Sequence, residues 1–137
     1  MAHHFDLATA AALVDVVGRA DRVVGEADTA IAAGSGDLPV FATPAMVALM
    51  EAAACHALAG HLPYDLTSVG SHIEVDHLAP SPVGSVVTAY ARIVEVTGSR
   101  VTFDVSAEHV WGGEHTEIGR GMHVRVVVDR ERFLHAI

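Results

Sequence analysis

Glu51 is the residue whose surroundings most invite chemistry. It is the only formally charged residue between Leu38 and Tyr64, in a helical run carrying Met46, Val47, Leu49, Met50, Ala53, Ala54 and Leu58. An ionised carboxylate left unpartnered among apolar groups is costly, so it shifts its pKa or finds a hydrogen-bonding neighbour. One wet patch on the helix would explain Glu51 equally well, although its neighbours Ala48, Ala52 and Cys55 speak for a site acid. The candidate partner is His77. Along a strand Ile73, Val75 and His77 share one face while His72, Glu74 and Asp76 take the other. The imidazole therefore lies among apolar side chains, as a core histidine bonded to the backbone or as a base facing the helix of Glu51. Thr43 precedes Pro44 and reads first as a helix cap, with proline at the first helical position. Amides at such a helix start would also polarise a bound carbonyl or carboxylate.

Other reactive side chains offer less. Cys55, the single cysteine, lies one turn after Glu51 with no cation nearby in sequence to lower its pKa, and reads as packing. The ten histidines raise the question of a metal. However, His56/His61 and His72/His77 are spaced by five, not by the four that sets two imidazoles on one helix face. No metal site is expected.

These residues need elements to hold them. The spacing predicts a helix from about Pro44 to His61, started by Thr43-Pro44 and stopped by Gly60 and Pro63. It is apolar nearly all round, as a helix surrounded on most sides should be. Beyond it the period changes to two: Val101, Phe103, Val105 and Ala107 alternate with Thr102, Asp104, Ser106 and Glu108. Similar strands are expected over about 68–78, 85–96 and 116–128, with an earlier short one across 21–30. Pro80, Pro82, Gly84, Gly98 and Gly112-Gly113 mark the turns. Leu7–Val17 reads as a short helix. The expected class is α+β, a meander of consecutive antiparallel strands with the long helix on one side.

The chain's 137 residues suit a single domain, 1–137, able to fold without disulfides or metal. Eight arginines, no lysine and seventeen acids leave a net charge of -9, and with no basic run, nucleic acid is not an expected partner. Leu7–Val17 has no Lys or Arg ahead of it and contains Asp15, unlike a signal peptide. Leu38–Tyr64 is broken by three prolines and carries Glu51, unlike a membrane span. A cytoplasmic protein is expected.

The run Gly34-Ser-Gly-Asp-Leu-Pro-Val-Phe-Ala-Thr-Pro-Ala-Met-Val-Ala-Leu-Met-Glu51, then Val69-Gly70 and Val75-Asp-His77-Leu-Ala, resembles the fluoroacetyl-CoA thioesterase-like family of hot dog fold proteins over about 21–133. The resemblance implies a five-stranded antiparallel sheet wrapped around one long central helix, and a homodimer, with tetramers as a further option, whose thioester site lies at the subunit interface. It implies catalytic roles for Thr43, Glu51 and His77, and a Gly70 amide that meets the substrate carbonyl. CoA enters as part of the substrate and no cofactor is implied. The family's lid phenylalanines have no counterpart in Ala32–Val40, where Phe41 is the only aromatic residue close by. Phe41 is thus the candidate acyl contact, and a small acyl group other than fluoroacetyl is expected, on CoA or on a carrier protein.

Two mechanisms fit. Glu51 or His77 could act as general base on water while amides near Gly70 hold the oxyanion, or Glu51 could attack to form an anhydride that water opens. Arg92, Arg100, Arg120 and Arg125 could reach CoA phosphates, but each reads first as surface arginine and none is assigned. A non-catalytic acyl-CoA-binding protein is the rival reading. An enoyl-thioester hydratase is weaker: Ser35-Gly36-Asp37 resembles its motif, but the histidine due five residues later is Ala42.

Overall fold

A computed structural model describes residues 2–137. Pro44, lacking an amide donor and fixed in φ, lies in the first turn of the long helix α3 (Thr43–Leu58), where a donor would have had no partner. The helix ends at Ala59, and Gly60 follows in the left-handed region at φ 81°. Ahead of it come α1 (Leu7–Leu13), β1 (Val17–Val23), a single 3-10 turn (Glu26–Asp28) and α2 (Ala30–Ala33). After it come β2 (Leu66–His77), β3 (Val86–Thr97), β4 (Arg100–Trp111), β5 (Glu114–Asp129) and α4 (Arg130–His135).

The five strands form one antiparallel sheet in the order β1-β3-β4-β5-β2. The meander is therefore confined to β3-β4-β5, joined by the two-residue turns Gly98-Ser99 and Gly112-Gly113. Both glycines of the second turn have positive φ, as its tight reversal requires. The expected β2–β3 hairpin does not form. The segment 78–85 between these strands is longer than a hairpin turn and carries Pro80 and Pro82, which cannot donate to a ladder. It crosses the sheet instead, leaving β2 on the far edge beside β5.

The early strand also differs from expectation, lying at Val17–Val23 and not across 21–30. Its buried positions are Gly18 and Ala20, too small to give a hydrophobic signal. Downstream, the Thr29 hydroxyl accepts from the Ala32 amide and starts α2, so the chain coils where a strand was expected.

Helix α3 packs chiefly on β1 and β3, through Met46, Met50, Ala53, Ala54, Ala57 and Leu58. Facing them are Ala89, Ala91, Ile93, Phe103 and Val127, all fully buried. The helix is less enclosed than its composition suggested, because Pro44, Ala48, Cys55 and His56 are exposed on its outer side. Among the described residues no helix is long and apolar enough to cross a membrane.

Candidate active site

Thr43 and His77 meet where the start of α3 passes the end of β2. The Thr43 Oγ1 lies 2.7 Å from His77 Nδ1. This corrects the reading of Thr43 as a cap: Ala42 occupies the cap position without a side-chain bond, and the hydroxyl turns to the imidazole. His77 Nε2 is buried and has no hydrogen-bond partner among the described residues. Burial pushes the His77 pKa below the ordinary histidine value, opposed in part by the backbone at Ala79, so the ring is neutral near pH 7 with one nitrogen left as a base. The pair lines a cleft of about 310 Å³ with Ala30, Ser35, Val40 and Phe41. Phe41 is 1% exposed and belongs to the wall of this cleft, where its ring is packed into the core.

Glu51 lies elsewhere in the same chain. Its carboxylate is 40% exposed and pairs with Arg125 Nη1 at 3.1 Å. Gly70 packs directly against it, since a Cβ at Gly70 would sit 2.8 Å from Glu51 Oε2. Glu51, Gly70, His72, Ile73 and His123 line a second cavity of about 440 Å³. Glu51 thus sits neither in an apolar interior nor in open water: it is half-exposed and held by a buried cation. Within one chain the structure brings Thr43 to His77 and Glu51 to Gly70, and does not bring the two pairs together.

Arg125 is the functional candidate that the sequence reading passed over as surface. It is buried, and its guanidinium also donates to the Ser68 hydroxyl at 2.8 Å and the Ser68 carbonyl at 3.1 Å. The same Nη1 lies 3.2 Å from His123 Nε2. A guanidinium only donates, so Nε2 is the acceptor and the His123 proton is on Nδ1, donated to the His72 carbonyl at 2.7 Å. Burial is the main reason the His123 pKa falls; the bond to His72 works against it and the charge of Arg125 adds to it. The 3.8 Å approach of His123 to Glu51 is therefore not an ion pair at neutral pH. The signal was available in the sequence: His123, Arg125 and Val127 alternate along β5, which sets two polar residues on the face of a buried valine.

Two histidines held neutral make stability depend on pH. Their folded pKa values lie below the ordinary histidine value, so the unfolded chain takes up protons first as pH falls. This stabilisation is complete above the ordinary histidine range and is lost as pH drops through it. The urea midpoint is expected to fall steadily from pH 7.5 to 5, the underlying slope of stability against pH corresponding to at most one proton for His123 and less for the partly exposed His77. A midpoint that is flat or rises over that range would contradict the neutral assignment.

The family model for the fluoroacetyl-CoA-specific thioesterase FlK matches residues 24–131. The chain belongs to this family. It is 43% identical over 94 residues to the fluoroacetyl-CoA thioesterase of Streptantibioticus cattleyicolor, a stretch covering 69% of this chain and 65% of that enzyme. Its fold is similar to that of a variant of the fluoroacetyl-CoA-specific thioesterase in complex with fluoroacetate and CoA, with a TM-score of 0.78 at 36% identity over 88% of this chain and 98% of the other. It is also similar to a hot-dog-like protein from Thermanaerovibrio acidaminovorans, with a TM-score of 0.78 at 29% identity over 90% and 88% of the two chains. The five-stranded antiparallel sheet with α3 against it is the hot dog fold.

Proposed function

We propose that this member of the family is an acyl-CoA thioesterase for a small acyl group, and that its active site is built from two copies of the chain. The observation that carries this reading is the buried His77 Nε2, which has no partner among the described residues of its own chain. A buried polar atom left unpaired costs about 1–3 kcal/mol, so the atom is suited to a partner that arrives from outside the chain. Thr43 fixes the ring from the other nitrogen.

The groups required for thioester hydrolysis are too far apart in one chain. Thr43 and Glu51 are separated by eight residues of helix, ~12 Å, and Gly70 and His77 by seven of strand, ~23 Å. A twofold axis removes the difficulty. β2 is an edge strand twelve residues long, with one side open to another strand. Antiparallel pairing of two β2 strands about an axis between Ile73 and Glu74 sets Gly70 of one copy opposite His77 of the partner subunit. The midpoint of Thr43 and Glu51 is Val47, so the same axis crossing there also exchanges those two residues. Each site then combines Glu51, Gly70 and Arg125 from one copy with Thr43 and His77 from the other.

In such a site the Glu51 carboxylate takes a proton from water as hydroxide adds to the thioester carbon. The Gly70 amide would hold the oxyanion, and collapse expels the thiolate, which is reprotonated. Direct attack by Glu51 gives the anhydride route with the same residues. Arg125 aims the carboxylate in either case.

A panel of short acyl-CoA esters assayed by thiol release tests the activity. Hydrolysis of at least one small acyl-CoA is expected. Calorimetric binding of the same esters with no thiol released over hours would instead identify a sequestering protein, and turnover restricted to carrier-linked acyl groups would replace CoA as the handle.

A further inference from the structure

The seam between α3 and β2 continues beyond Glu51. One turn further along the helix, Cys55 opens a third cavity of about 200 Å³, which runs past Leu58 and Leu62 to Thr67 and Ser68. Glu51, Cys55 and Ala59 follow one another at helical spacing, and Gly70, Ser68 and Leu66 follow one another on one face of β2. The two cavities are therefore consecutive along the same seam. They lead from the carboxylate towards Tyr64.

Tyr64 is 89% exposed. The Arg130 guanidinium covers one face of its ring, 5.2 Å from the centroid, and is tied to the Tyr64 carbonyl at 3.2 Å. The other face of the ring is open. Arginine availability points to the same end of the molecule. Arg19, Arg22, Arg92, Arg120 and Arg125 are each committed to a carboxylate. Among the described residues Arg100, Arg130 and Arg132 form no ion pair, and all three lie at the end of the sheet where β4 and β2 begin and β5 finishes.

On the thioesterase reading above, we propose that the α3–β2 seam is the channel for the pantetheine arm of CoA, and that Tyr64 and Arg130 form the platform for its nucleotide. The lengths agree. From Gly70 back to Leu66 is four residues of extended strand, ~13 Å, and Tyr64 stands just beyond in the turn closed by the Leu66 amide on the Pro63 carbonyl at 3.0 Å. From the thioester sulfur to the first phosphorus, CoA has about thirteen bonds, comparable with four to five extended residues or ~15 Å. A sulfur at Gly70 thus brings the phosphates to the mouth of the seam and the adenine to Tyr64. There the open ring face suits stacking and the arginine suits phosphate. A platform of this kind reads the nucleotide, so it favours CoA over a carrier-linked phosphopantetheine, which has no adenine.

The test compares S-ethyl-CoA with S-ethyl-pantetheine, two thioethers that cannot be hydrolysed, by calorimetry on the full chain. Wild type is expected to bind the CoA thioether about tenfold more tightly or better, the range for stacking on one aromatic residue. Tyr64→Ala and Arg130→Gln are each expected to remove most of that preference, while Arg19→Gln, at an arginine already paired with Asp21, keeps it. Equal affinity of wild type for the two thioethers, or a preference that survives both substitutions, overturns the platform. The result does not depend on turnover. A preference lost in the two variants, with no thiol released from any acyl-CoA, supports the platform and overturns only the hydrolase reading.

Discussion

Glu51→Gln and His77→Ala subunits, each expected to be slowed about a hundredfold or more on its own, should regain roughly a quarter of wild-type activity when equal amounts are unfolded together and refolded. Random reassembly makes half the dimers hybrid. In each hybrid one site receives both substitutions, and the other receives an intact glutamate from one chain and an intact histidine from the other. If both residues served a site within a single chain, every site in the mixture would carry one defect, and activity would stay near one per cent. Thiol release from the best acyl-CoA, measured before and after mixing, separates the outcomes by more than tenfold. The prediction has a structural basis: Glu51 pairs with Arg125 beside Gly70, whereas His77 pairs with Thr43.

Gly18→Val is expected to destabilise the fold strongly. At Gly18, β1 passes so close to α3 that a Cβ would overlap the Ala53 carbonyl oxygen and the Ala57 amide nitrogen. Both are backbone atoms in the middle of a packed helix, so no side chain can swing aside, and the helix must lift from the sheet. Overpacking of a core costs about 1–3 kcal/mol even where side chains can adjust. With backbone that cannot adjust, the cost lies at or above the top of that range, which for a domain of this size lowers the Tm by about ten degrees or more, at ~4 °C per kcal/mol. Gly25→Ala is the control: a Cβ there meets only the Asp28 carboxylate at an ordinary 3.5 Å, and its melting curve should shift little. Equal curves for the two variants would show that the strand does not press on the helix as described.

These outcomes depend on features that differ in how far the sequence reveals them. The long helix was legible because Thr43-Pro44 and Gly60 punctuate an apolar run, and β4 because its side chains alternate without interruption. β1 was not, since its inward residues are Gly18 and Ala20. Those residues are small because the helix backbone lies against them, so close packing left little hydrophobic signal. Strand order was hidden for another reason. Alternation fixes which face a side chain takes but says nothing about the neighbouring strand, and the crossing of 78–85 is a long-range event.

By itself the sequence determined most of the element types and the family, and it singled out Thr43, Glu51 and His77 as side chains with reactive potential, because each follows from local spacing and residue chemistry. Only the tertiary structure decided which of them touch. It turned the Thr43 hydroxyl from a helix amide to an imidazole, and it brought Arg125 from a strand 74 residues further along the chain to hold Glu51. It also left Glu51 and His77 in separate cavities of one chain. Such contacts are fixed by how a curved sheet closes over a helix. Residues distant in sequence become neighbours there, and no local pattern encodes the pairing.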